Sequence, residues 1–147
     1  MEGTLTAQLA AFNQVYKDMD DLYHEYARKW GMSDAAMWIL YFIQESDTPK
    51  TQKELCDEWC YSRQTVNSAL KNMESKGLIR FACAEGNRKN KQILLTEEGQ
   101  ELSDRVIRPL VEAELAALDS LGEAGRGELL LRLKQYLSML HRGVESL

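Results

Sequence analysis

Between Leu5 and Trp30 the chain places an apolar or aromatic side chain at Leu5, Leu9, Phe12, Tyr16, Met19, Tyr23, Tyr26 and Trp30. The steps alternate between four and three residues, a period of about 3.5 that predicts one long helix with a single seam. Such a seam needs a partner, either another part of the chain or a second copy of it. Gly31 ends the pattern, and Ser33 is placed to cap a second helix over 34–45 with Met37, Trp38, Tyr41 and Phe42 facing inward. Residues 46–49, Ser-Asp-Thr-Pro, read as a loop.

The middle of the chain changes rhythm. Thr51-Gln-Lys-Glu54 is a capping box that opens a short helix with Leu55 and Trp59 on its apolar side. Cys60-Tyr61 breaks it, and Ser62 caps a new pattern in which Val66, Ala69, Leu70 and Met73 recur at helical spacing. At about 100° per residue those four form one stripe. Gln64, Ser68, Lys71 and Ser75 then lie opposite, with Asn67 and Asn72 to either side. Gly77 suits a left-handed helix end, and Leu78 the hydrophobic residue that folds back on it. Strands are predicted over 78–83 and 91–95, around a basic loop at 84–90 that carries Arg88 and Lys89. Thr96 caps a helix over 97–119 with Leu102, Val106, Leu110 and Leu118 along one side, and Pro109 should kink it. A break with three glycines follows at 121–127. The last helix, 124–143, turns Leu129, Leu130, Leu133, Tyr136, Leu137 and Leu140 inward.

Helix, tight turn, helix and hairpin with a basic tip, in that order, make a winged helix-turn-helix. The fold class is therefore mostly α with a small β-hairpin wing, and with long helices at both ends.

Charge sharpens this picture. The chain carries a formal net charge of −5, but residues 50–91 hold nine Lys/Arg against five Asp/Glu, a net of +4, which leaves −9 on the remainder. A basic middle between acidic flanks is the distribution expected of a polyanion-binding lobe. From Ser62 to Met73 there is no acid at all. The major groove of DNA admits one helix and presents base edges to it. Gln64 and Asn67 can pair with adenine, Ser62, Thr65 and Ser68 with either donor or acceptor, and Arg63 and Lys71 with guanine or phosphate. Thr51 opens the preceding helix, whose first amides can face a phosphate. Asn87, Arg88 and Lys89 at the wing tip are placed for the neighbouring minor groove or the backbone. A solvated polar face is the plainer reading of the same residues, and the missing acids weigh against it.

The ordered set Thr51-Gln-Lys-Glu-Leu55, Ser62-Arg-Gln-Thr-Val-Asn67, Glu74-Ser-Lys-Gly-Leu-Ile79 and Leu95-Thr-Glu-Glu-Gly99 resembles the MarR family of bacterial transcriptional regulators over the whole chain. Two positions depart from the family pattern: Asn87 stands where an acid often orients the wing arginine, and Ser68 where arginine is frequent. The resemblance implies a homodimer with intertwined terminal helices on a palindromic operator. It divides the chain into a helical dimerisation region, 1–32 and 97–147, and a DNA-binding lobe, 33–96. It implies a ligand-responsive repressor, with a small aromatic or lipophilic effector. The candidate pocket is Tyr23, Tyr26, Trp30, Trp38 and Tyr41, near His24.

Other chemistries find little support. The three cysteines, Cys56, Cys60 and Cys83, are odd in number and form no CxxC pair, and the two histidines are far apart in sequence. Neither a disulfide framework nor a metal site is expected. No cofactor is called for. No nucleophile elbow or phosphate loop points to an enzyme. No apolar run approaches the ~20 residues that span a bilayer, and the N-terminus lacks a signal peptide's basic start, so a cytoplasmic protein without a membrane partner is expected. The remaining rival is a winged-helix adaptor that binds other proteins and no DNA.

Overall fold

The computed structural model describes residues 3–59, 61–84 and 87–147, with backbone alone for Ala84 and for residues 87–89. Helix α1 spans Leu5–Lys29, its first turn capped where the Ala7 amide donates to Thr4 Oγ1 at 3.2 Å. It stops because Gly31, at φ +65°, turns the chain left-handed, so that the amides of Gly31 and Met32 reach back to the carbonyls of Arg28 and Ala27. Ser33 then caps α2, Asp34–Glu45. A two-residue strand β1, Lys50–Thr51, leads into α3, Gln52–Trp59, and α4 follows over Arg63–Ser75. Strands β2, Ile79–Ala84, and β3, Asn87–Leu95, precede α5, Glu97–Asp119, and α6, Gly122–Glu145.

The core of the first compact unit, residues 1–107, draws side chains from every helix of the unit and from β2 and β3, with Ala27 coming from α1. Met37, Ile39, Leu40 and Phe42 come from α2, Leu55 from α3, and Val66, Leu70 and Met73 from α4. Ile79, Ile93, Val106 and Ile107 complete it from β2, β3 and α5. The one buried polar side chain among the described residues, Ser103, donates to Gln44 Oε1 at 2.8 Å and so costs little. Tyr26 likewise spends its hydroxyl on the Val106 carbonyl at 2.8 Å. The winged helix-turn-helix architecture and the helix ends predicted at Gly31 and Gly77 are borne out.

Four expectations need correction. The sheet has three strands in the order β1-β3-β2, because Lys50 and Thr51 pair with Ile93 and Gln92; two residues are too few to carry an alternating pattern. The strands of the wing run further than 78–83 and 91–95. Ala84 pairs with Asn87 after a register shift beyond Cys83, and β3 begins at Asn87, inside the loop expected at 84–90. The last helix starts earlier than the expected 124: α6 begins at Gly122, whose φ of +67° makes the turn, so the break is shorter than 121–127. Finally, the leucines of α6 do not face inward. No residue of α6 is buried, and Leu130 and Leu137 are 50% and 63% exposed. The seam of α1 is also open, from Leu5 at 82% to Met19 at 52%. Helix α5 continues through Pro109, which withholds an amide from the ladder, and the second compact unit begins at Arg108.

Gly99 is the glycine that the packing cannot spare. A Cβ there would stand 1.9 Å from the Leu78 carbonyl oxygen, a backbone atom held in turn by the Thr96 amide at 3.1 Å. Gly127 has nothing within 4 Å. Gly99→Ala should therefore lower the urea midpoint, by about 3 kcal/mol in stability. Gly127→Ala should raise stability by about 0.5–1 kcal/mol through helix propensity. Equal effects in urea melts would contradict this packing.

Candidate nucleic-acid interface

Helix α4 is set by its ends and by one stripe. Ser62 Oγ accepts from the Thr65 amide at 3.1 Å and lies 2.8 Å from Thr65 Oγ1, so both hydroxyls serve the cap. At the other end the amides of Gly77 and Leu78 close on the carbonyls of Glu74 and Met73. Val66, Leu70 and Met73 are each 1% exposed, a burial worth roughly 1.5–3 kcal/mol apiece. That fixes the helix in rotation. Gln64, Ser68, Lys71 and Asn72 consequently face solvent, Asn67 is half-buried, and Arg63 is exposed at the first turn.

The box predicted at α3 forms in full. Glu54 Oε2 accepts from the Thr51 amide at 2.7 Å and from its hydroxyl at 3.0 Å, while the Glu54 amide donates to Thr51 Oγ1 at 3.3 Å. The Thr51 amide holds the Glu54 carboxyl below its ordinary value, with smaller help from the Thr51 hydroxyl and the charges of Lys50 and Lys53. Lys53 is paired with Asp57 at 2.9 Å. Thr51 is therefore a structural cap first.

A groove runs along each flank of α4. One, of about 660 Å³, lies against the α1–α2 turn, with Trp30, Met32, Ala35 and Leu102 facing Gln64, Ser68 and Asn72 of α4. The other, of about 410 Å³, separates α4 from the start of α3 and from β3, and is lined by Gln52, Arg63, Asn67, Lys71, Phe81 and Lys91 among others. The second cleft gathers Thr51, Arg63, Asn67 and Lys71 from the expected set, while Gln64, Thr65 and Ser68 line the first. Gln52 and Lys91 were not anticipated. They come from elements that meet α4 only in the folded lobe, and spacing along the chain carries no sign of it.

The side chains of Asn87, Arg88 and Lys89 lie outside the described residues, as does Cys60; the backbone of 87–89 is in β3. Of the expected aromatic pocket, only Trp30 lines the α1–α2 groove. Tyr23, Trp38 and Tyr41 pack ring against ring, Tyr23 to Trp38 at 4.9 Å and Trp38 to Tyr41 at 5.4 Å. Trp59 of α3 joins them, stacked on Trp38 at 4.9 Å. Tyr61, in the turn before α4, has its phenol pushed up by burial and then by the carboxylates of Asp34 and Asp20. His24 Nδ1 meets Asp34 Oδ1 at 2.9 Å on an exposed edge. Cys56 and Cys83 are free thiols. Among the described residues no cluster of three or more His, Cys, Asp or Glu could hold a metal ion, and no helix is long and apolar enough to cross a membrane.

Residues 30–89 match the family model described as "MarR family". No curated protein matches the chain. Among solved structures, a MarR family transcriptional regulator from Listeria monocytogenes complexed with 26mer DNA is 26% identical, over 95% of this chain and 90% of its own, with a TM-score of 0.71. A MarR family regulator from Neisseria meningitidis shares the fold at a TM-score of 0.77 and 18% identity, over 95% of this chain and 97% of its own. Staphylococcus aureus MepR in its DNA-binding conformation does so at 0.75 and 20%, over 90% of this chain and 98% of its own.

The α3 box makes a pH prediction. A carboxyl whose folded value is depressed adds stability above its unfolded value, here the ordinary 4.5, and loses it as the pH falls through the lower folded value. Glu54→Gln should therefore be less stable than the parent near neutrality, and the gap in urea melts should close below about pH 4. A gap that persisted unchanged in acid would place the carboxylate outside the cap.

Proposed function

We propose that this chain, whose residues 30–89 match the MarR family model, is a member of that family and a sequence-specific DNA-binding transcriptional regulator acting as a homodimer on a palindromic operator. The observation that carries the reading is the outward face of α4. It has no acid from Ser62 to Met73, it is exposed at Gln64, Ser68 and Lys71, and it stands as a ridge between two grooves. A ridge of that shape fits a major groove, with Gln64 and Asn67 reading base edges and Arg63 and Lys71 reaching guanine or phosphate. The DNA-bound Listeria regulator, similar over nearly the whole chain, supports this. Ser62, the hydroxyl nearest the ridge's start, is occupied as a cap, which suits a binding protein rather than an enzyme. Arg88 and Lys89, from their place in the sequence of the wing, are the proposed contacts to the adjacent minor groove or backbone. Such work belongs in the cytoplasm.

The open stripes of α1 and α6 support the pairing of two copies. Residues 1–32 and 97–147 form the dimerisation region and 33–96 the DNA lobe. Two-fold symmetry then sets the two α4 ridges about 34 Å apart, one turn of the duplex. Occupying the operator excludes other proteins, which makes repression the expected sense. The groove at Trp30 favours an effector. A small aromatic or lipophilic molecule seated there would touch the Gln64 and Ser68 side of the ridge, and would shift the population away from the DNA-competent arrangement.

Two outcomes are expected. In anisotropy titrations the parent binds a duplex selected from a random pool with an affinity that falls steeply with salt. Gln64→Ala loses about 1–3 kcal/mol of preference for that duplex over a scrambled one. No binding at any salt would favour a protein-binding adaptor. Leu133→Glu, which sets a charge in the α6 stripe, should convert the parent dimer to monomer in sedimentation; a parent that is already monomeric would remove the homodimer.

A further inference from the structure

The two flanks of α4 differ in charge, and the difference has a direction. On the α3 and β3 side, three cations of separate origin converge on the 410 Å³ cleft: Arg63 from the first turn of α4, Lys71 two turns on, and Lys91 from β3. None of the three has an ion-pair partner among the described residues, whereas Lys53, on the same rim, is tied to Asp57. The cleft holds one acid, Glu74, beyond Lys71. Gln52 adds an amide donor at the start of α3. On the opposite flank the groove is lined by Trp30, Met32 and Leu102, and Lys76 is its one charge.

Unpaired cations held together on a folded lobe repel one another, and that cost is recovered when an anion settles between them. We propose that the cleft between α3, α4 and β3 is the seat of one sugar–phosphate strand, with Lys91 and Gln52 as positioning contacts beside Arg63 and Lys71, while the Trp30 flank carries no strand. The inference rests on the DNA-binding reading and adds to it a polarity. Each lobe is anchored to a backbone on one side only, and Lys71 serves phosphate rather than base. The contacts set register and affinity without reading sequence. The other groove is then left clear on the DNA-bound lobe.

The test uses the full-length dimer, a duplex selected from a random pool, and a scrambled duplex of the same composition. Neutralising one phosphate contact removes about one released counterion, a change of ~0.9 in the slope of log K against log salt. The homodimer carries the change in both lobes and loses two such contacts, so Lys91→Gln should weaken both duplexes alike, by about sixtyfold in 0.1 M salt and about eighteenfold in 0.2 M, with the preference between them unchanged. Lys91→Arg should restore binding, and Lys76→Gln, on the other flank, should leave affinity and slope as in the parent. Thermal melts confirm that each variant is folded. If Lys91→Gln binds like the parent, or if Lys76→Gln costs as much, the one-sided seat is wrong while the regulator reading stands. If the parent itself fails to bind either duplex, both fall together.

Discussion

Three side chains decide what α4 can do. With Val66, Leu70 and Met73 buried to 1%, the helix has one rotational setting, and every other position on it takes its direction from that. Rotating α4 by a single position would expose part of this stripe at a cost of several kcal/mol, comparable with the whole stability of a small domain. The polar ridge is thus the necessary complement of a core that the lobe needs in order to fold. The caps at Ser62 and Gly77 hold the same setting from both ends, and Gly99, tight against Leu78, fixes where α5 leaves the lobe.

From that constraint the functional surface follows in layers. The ridge offers hydrogen-bonding groups without acids. Its two flanks are unequal, cationic toward α3 and β3 and largely apolar toward Trp30. In the proposed reading, one flank seats a polyanion and the other is the place for a small lipophilic effector, with a single helix standing between them. The aromatic group of Tyr23, Trp38, Tyr41 and Trp59 packs α1, α2 and α3 to one another and so forms part of the lobe's frame.

How much of this was legible in the chain differs by element. The seam of α1, the capping box at Thr51, the stripe of α4 and its glycine stop are local patterns, and each appears where the residues place it. The strand at Lys50–Thr51 was not legible, because its pairing is dictated by β3, more than 35 residues away. The wing's length was hidden by a register shift, and the start of α6 by glycines that a favourable helix tolerates. Gln52 and Lys91 became visible only when α3 and β3 met α4 in space. The leucines of α6 are legible as a stripe, and their exposure shows the limit of such a pattern: it states that a face must be covered and leaves open by what.

The central claim is that the outward face of α4 enters a major groove, twice, in a pair of chains. Dimethyl sulfate protection on a selected duplex tests it most directly, because it reports guanine N7 in the major groove and adenine N3 in the minor groove separately. The account predicts two clusters of protected guanine N7 centred about one helical turn, ~34 Å, apart. Protection of adenine N3 alone, or a single unpaired cluster, would contradict it.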